Sequence, residues 1–72
     1  MSTRYHVLHD EEYNRSRHRA DTVSHAGKCG LHGCGEAAVL SMEVLHGDGA
    51  MWLGVCARGV GEYASQLNSR HP

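Results

Sequence analysis

Lys28-Cys29-Gly30-Leu31-His32-Gly33-Cys34-Gly35, read together with Trp52-Leu53-Gly54-Val55-Cys56, is the stretch on which the fold turns. A Cys-x4-Cys turn and a third, distant cysteine form the pattern of an incomplete zinc site. A chain of 72 residues buries too little apolar surface to offset its conformational entropy comfortably, so a metal clip joining two remote segments is expected on size alone. The alternative for the three thiols is that they serve as small buried hydrophobes.

The composition narrows the remaining choices. With no Phe, one Trp and three Tyr, the chain can assemble only a thin core, and nine glycines against one proline point to turns rather than a rigid linker. No apolar run approaches the roughly 20 residues of a membrane helix, and Met1-Ser2-Thr3-Arg4-Tyr5-His6 lacks the hydrophobic stretch of a signal peptide. These features predict a cytoplasmic protein with no membrane partner. An odd count of three cysteines leaves one orphan in any disulfide scheme, which again favours metal.

The formal net charge of −1 conceals an asymmetry. Arg15, Arg17, Arg19 and Lys28 make the segment before Cys29 locally basic. From Cys29 onward, Glu36, Glu43, Asp48 and Glu62 outweigh Arg58 and Arg70. Apolar residues concentrate in the second part. The expected organisation is a polar arm over residues 1–28, a hairpin-helix module over 29–68 and a tail over 69–72.

In the arm, Tyr5, Val7 and Leu8 allow a short edge strand, and His6, His9 and His18 read as solvated side chains. Helical charge spacing between Glu11, Arg15 and Arg19 comes without an apolar stripe, so a flexible or weakly structured arm is expected. Ala38, Leu40, Met42 and Val44 alternate with Val39, Ser41, Glu43 and Leu45, the period of a strand with one apolar face. Gly47-Asp48-Gly49 then signals a hairpin. With Asp48 and Gly49 as the loop residues, Val44 faces Leu53, Met42 faces Val55 and Leu45 faces Trp52. Val60, Tyr63, Ala64 and Leu67 recur at helical spacing, predicting a C-terminal helix that ends near Asn68. Gly59 and Gly61 each weaken it by about 1 kcal/mol relative to Ala.

A Cys-x4-Cys turn, a hairpin, and a cysteine where the second strand meets a helix resemble the treble-clef and zinc-ribbon groups of small zinc fingers, as found in compact proteins of actinobacteria and their phages. The resemblance implies a small α+β fold holding Zn2+, with two ligands from the turn and two from the start of the helix. Cys29, Cys34 and Cys56 match three of those positions. The fourth falls at residue 59, which is Gly59.

Among the histidines, His46 lies some 17 Å away along the strand and His71 beyond the helix. His25 and His32 remain within reach. His25 is the expected fourth ligand, because three ligands in one six-residue turn would crowd it; His32 is the alternative. A phosphate-loop reading of Gly30, Gly33 and Gly35 fails for want of a Gly-Lys-Ser/Thr ending, whereas a tight turn around thiolates suits them.

No nucleophile, base and orienting group converge by spacing, so an enzyme with a small-molecule substrate is not expected. The expectation is a non-enzymatic zinc-binding adaptor or regulator that engages a larger protein machine through the hairpin face, with Leu45 and Trp52 as anchors. The alternative is a nucleic-acid-binding zinc finger in which Arg15, Arg17, Arg19 and Lys28 contact phosphate.

Overall fold

The computed structural model describes residues 5–67. Three strands, β1 (Val7–Glu12), β2 (Leu40–His46) and β3 (Gly49–Val55), form one antiparallel sheet in the order β1-β2-β3. Among the described residues one short α-helix, α1 (Ala57–Glu62), follows β3, and a 3-10 turn spans Arg15–Arg17. The protein is a small α+β fold, as its residue pattern predicts.

The hairpin forms, but its register differs from expectation by two residues. The turn is Gly47-Asp48, with His46 paired to Gly49, so Val44 faces Met51, Met42 faces Leu53 and Leu40 faces Val55. Among the described residues only glycines take a positive φ, and here it is Gly47, at 58°. Glycine at the first central position suits a II′-type turn and moves the loop one residue upstream of Asp48-Gly49. Strand side chains alternate with period two, so this even shift leaves both face assignments intact. Met42, Val44 and Val55 are fully buried, each contributing about 1.5–3 kcal/mol by burial. Leu40, Tyr63 and Leu67 complete the core.

The N-terminal segment is not the weakly structured arm expected from its composition. Val7 through Glu12 pair along β2, with a bulge between Val7 and His9 that leaves Leu8 exposed. The short edge strand that Tyr5, Val7 and Leu8 allow is thus present, though it runs on to Glu12, and its pairing partner supplies the stability. Gln66 anchors the strand's start, its Oε1 accepting from Val7 N at 2.9 Å and its Nε2 donating to Tyr5 O at 3.2 Å. His18 likewise is buried rather than solvated. Its Nε2 lies 2.8 Å from Ser41 Oγ, and its ring stacks on Tyr13 at 5.5 Å between centroids.

After His18 the chain crosses to β3, where Ser24 Oγ accepts a hydrogen bond from Gly54 N at 2.9 Å. Gly54 has no room for a side chain, since a Cβ there would sit 3.0 Å from both Lys28 O and Ala38 Cβ. The crossing segment therefore lies directly against the end of β3 and delivers Cys29 beside Cys56.

The C-terminal helix is shorter than its apolar stripe. It closes at Tyr63, and the chain continues in i→i−3 turns, with Gln66 N donating to Tyr63 O and Leu67 N to Ala64 O. Gly59 and Gly61 within six residues remove the propensity for a longer helix. The tighter turns still bring Tyr63 and Leu67 to the core. The expected end at Asn68 lies outside the described residues.

Candidate metal centre

Residues 28–37 double back as a tight loop. Cys29 N donates to Glu36 O at 2.8 Å, and Lys28 bridges Ala37. Gly30 N and Leu31 N both donate to Gly54 O, fastening the loop to the end of β3. Cys56 immediately precedes α1 as its N-cap residue, so the loop and the helix start face each other.

The structure brings Cys29, Cys34 and Cys56 together, and the histidine that joins them is His32. One ligand atom from each of the four lies within 4.8 Å of every other. His25, the expected fourth ligand, is not in the cluster. The crowding argument against His32 fails because the loop wraps its own ring inward: His32 N donates to Cys29 Sγ at 3.4 Å while its Nδ1 turns back toward the sulfurs.

The spacings test the fit to zinc. A tetrahedral ion with standard Zn–S and Zn–N bonds sets S···S at about 3.8 Å and S···N at about 3.6 Å. Cys34 Sγ and Cys56 Sγ are 3.9 Å apart, and His32 Nδ1 is 3.5 Å from Cys56 Sγ and 3.8 Å from Cys29 Sγ. Three sulfurs and one imidazole nitrogen at these separations suit Zn2+.

The outer contacts orient the ligands. His32 Nε2 is 2.7 Å from Glu62 Oε1, and a proton donated there from Nε2 would leave the Nδ1 lone pair for a metal. Gly59, the position at which the resemblance led one to expect a fourth ligand, is closely packed. A Cβ at residue 59 would come within 2.7 Å of Val55 Cγ1 and 2.9 Å of Leu31 Cδ2, and 3.5 Å of His32 Cε1. The loop and its imidazole therefore pack directly against the helix backbone at Gly59.

The thiols also affect one another. Burial raises the Cys29 thiol, but N–H groups of the His32, Cys56 and Leu31 backbone hold its sulfur and bring it down to about 7. Burial and the adjoining Cys29 and Cys34 sulfurs push Cys56 up, against the Gly59 backbone. Cys29 and Cys56 are thus pushed in opposite directions, and a divalent ion between them would favour the charged form of both.

The other sequence-predicted residues lie elsewhere. Leu45 is 51% exposed at the hairpin end, and Trp52 is half-buried on the same outer face, opposite Glu43 rather than Leu45. Arg17 lies over the Trp52 ring at 4.7 Å from its centroid, and His9 meets its edge at 5.7 Å. Trp52 is thus partly covered by side chains of the N-terminal segment. Arg15, Arg17, Arg19 and Lys28 are exposed. Arg17 pairs with Glu11 at 3.0 Å and Arg19 with Asp21 at 3.7 Å.

Sequence reasoning missed the Ser41–His18 contact. Its spacing matches a nucleophile and base, yet Ser41 is fully buried and its Oγ accepts from Asn14 N at 2.9 Å. That pair ties the segment to the sheet. Among the described residues, no helix is long and apolar enough to cross a membrane. No family model matches the chain, and neither a curated protein nor a solved structure matches it.

Proposed function

We propose that the protein is a non-enzymatic zinc-binding adaptor or regulator of the treble-clef type, acting in the cytoplasm on a larger protein partner. The observation that carries the reading is the mutual placement of Cys29, His32, Cys34 and Cys56 at zinc-ligand spacing. Four protein donors fill a tetrahedral shell and leave no position for substrate, which favours a structural ion over a catalytic one. The ion would tie the loop to α1 and so hold β3 in place.

The partner face is the outer side of the hairpin, where Leu45 and Trp52 lie together. Aromatic and aliphatic anchors of this kind carry much of the energy of protein interfaces. The alternative, phosphate contact through Arg15, Arg17, Arg19 and Lys28, is weakened by the carboxylates already beside Arg17 and Arg19.

The two readings separate in one experiment on zinc-loaded protein. Affinity capture is compared for the wild type, a Trp52→Ala/Leu45→Ala variant and an Arg15→Ala/Arg19→Ala variant, alongside titration of a labelled duplex at two salt concentrations. Loss of protein capture in the first variant alone supports the adaptor. Unchanged capture in that variant, with steeply salt-dependent duplex binding, replaces it with the nucleic-acid reading.

A further inference from the structure

We infer that Cys34 is an oxidation site for small peroxides, at which a disulfide forms with Cys56 and the metal is expelled. The inference rests on the zinc reading and adds regulation to it. Burial separates the three thiols. Cys29 is 0% exposed and Cys56 2%, whereas Cys34 is partly exposed. Cys34 and Cys56 both line an open groove of about 550 Å³, with Glu36, Val39 and Arg58, and of the two sulfurs it is Cys34 that belongs to the more exposed residue. A small neutral oxidant can enter that groove and meet Cys34 first.

The second thiol is already in place, with Cys56 Sγ 3.9 Å from Cys34 Sγ. Bond formation requires the sulfurs to close to about 2.05 Å. The backbone beside Cys34 permits that movement: Gly33 and Gly35 flank it at positive φ, and the space where their Cβ atoms would lie is empty to 4 Å. Cys29 has less freedom, because its sulfur accepts from His32 N and its own N–H is bound to Glu36 O.

The chemistry balances with peroxide as the oxidant. Cys34 thiolate attacks one peroxide oxygen, the O–O bond breaks, and hydroxide departs to leave a sulfenic acid. Cys56 thiolate then attacks the Cys34 sulfur, the S–O bond breaks, and a second hydroxide departs as the S–S bond forms. Two electrons pass from the sulfur pair to peroxide, and two solvent protons convert the hydroxides to water. The ion loses two of its four ligands and leaves Cys29 and His32 behind.

The test uses the full chain loaded with zinc, exposed to hydrogen peroxide in the presence of a chromogenic zinc indicator. Disulfides are then mapped by mass spectrometry without reduction. The expected result is loss of the bound zinc with a Cys34–Cys56 cross-link, reversed by a thiol reductant in the presence of added zinc. Brief alkylation of the unoxidised zinc-loaded protein gives a readout that needs no variant, and Cys34 should be labelled before Cys29 and Cys56. Zinc retained through peroxide treatment, a Cys29–Cys56 cross-link, or labelling that begins at Cys29 overturns the inference while leaving the zinc reading standing. A chain that takes up no zinc at all overturns both.

Discussion

His32 Nε2 lies 2.7 Å from Glu62 Oε1, across the gap between the cysteine-bearing loop and the last residue of α1. The contact fixes the imidazole tautomer and turns Nδ1 toward the sulfurs of Cys29 and Cys56. It also joins the loop to the end of the helix, whereas the cysteines join it to the start. Glu62→Gln should therefore lower zinc affinity by about 10-fold, the lower end of outer-shell effects, because this carboxylate is partly solvated. Competition with a calibrated chelator measures it, and one zinc per chain should still bind.

The identity of the fourth ligand gives a second prediction. His32→Ala should weaken zinc binding by more than about 100-fold, beyond the usual loss of an outer-shell partner, while His25→Ala should leave it unchanged. The same chelator competition reads both variants. Equal loss in the two would place the histidine ligand elsewhere.

Gly59 supplies a third. Alanine would gain about 1 kcal/mol in helix propensity, but its Cβ must displace Val55 and Leu31 at a cost of about 1–3 kcal/mol. Val55 is β-branched and fully buried, so it yields poorly. Gly59→Ala should destabilise the zinc-loaded protein by about 1 kcal/mol in urea unfolding. A more stable variant would mean that helix and loop do not pack this closely.

The fourth concerns pH. Burial holds the His18 imidazole below its ordinary value of 6.5, outweighing the Trp52 backbone and Glu11, which favour the charged form; His25 adds to the depression. The unfolded chain then binds more protons than the folded one just below pH 6.5, so stability rises with pH through that window and is lost on acidification. His18→Gln removes this contribution. In zinc-loaded protein, the stability gap between wild type and His18→Gln should narrow from about pH 7.5 to about pH 5.5. Acid loss of zinc is common to both proteins and cancels. A gap that widens on acidification would contradict a neutral, buried His18.

Much of this architecture is legible in the residues. Alternation from Ala38 to Leu45 and the Gly47-Asp48-Gly49 signal are local properties, and they identify the hairpin and both of its faces. The two-residue error in register comes from the placement of a single positive φ among neighbouring glycines, which a sequence offers twice. The clustering of Cys29, Cys34 and Cys56 follows from the hairpin, which returns the chain to the loop. What was hidden depends on contacts between distant residues. β1 exists because β2 offers it an edge, and His18 is buried because Ser41 and Tyr13 receive it. His32 is hard to pick out because loop crowding counts against it, whereas a short loop can turn a ring inward. Gly59 carried the signal that could have found it: a glycine at the expected ligand position marks a close approach by another group.

The account depends on one ion held by three sulfurs and one imidazole. X-ray absorption at the zinc edge of the purified protein tests this most directly. The structure predicts one zinc per chain with three sulfur neighbours at about 2.3 Å and one nitrogen at about 2.0–2.1 Å. Protein that takes up no zinc, or holds it in a shell dominated by oxygen and nitrogen, would contradict the account.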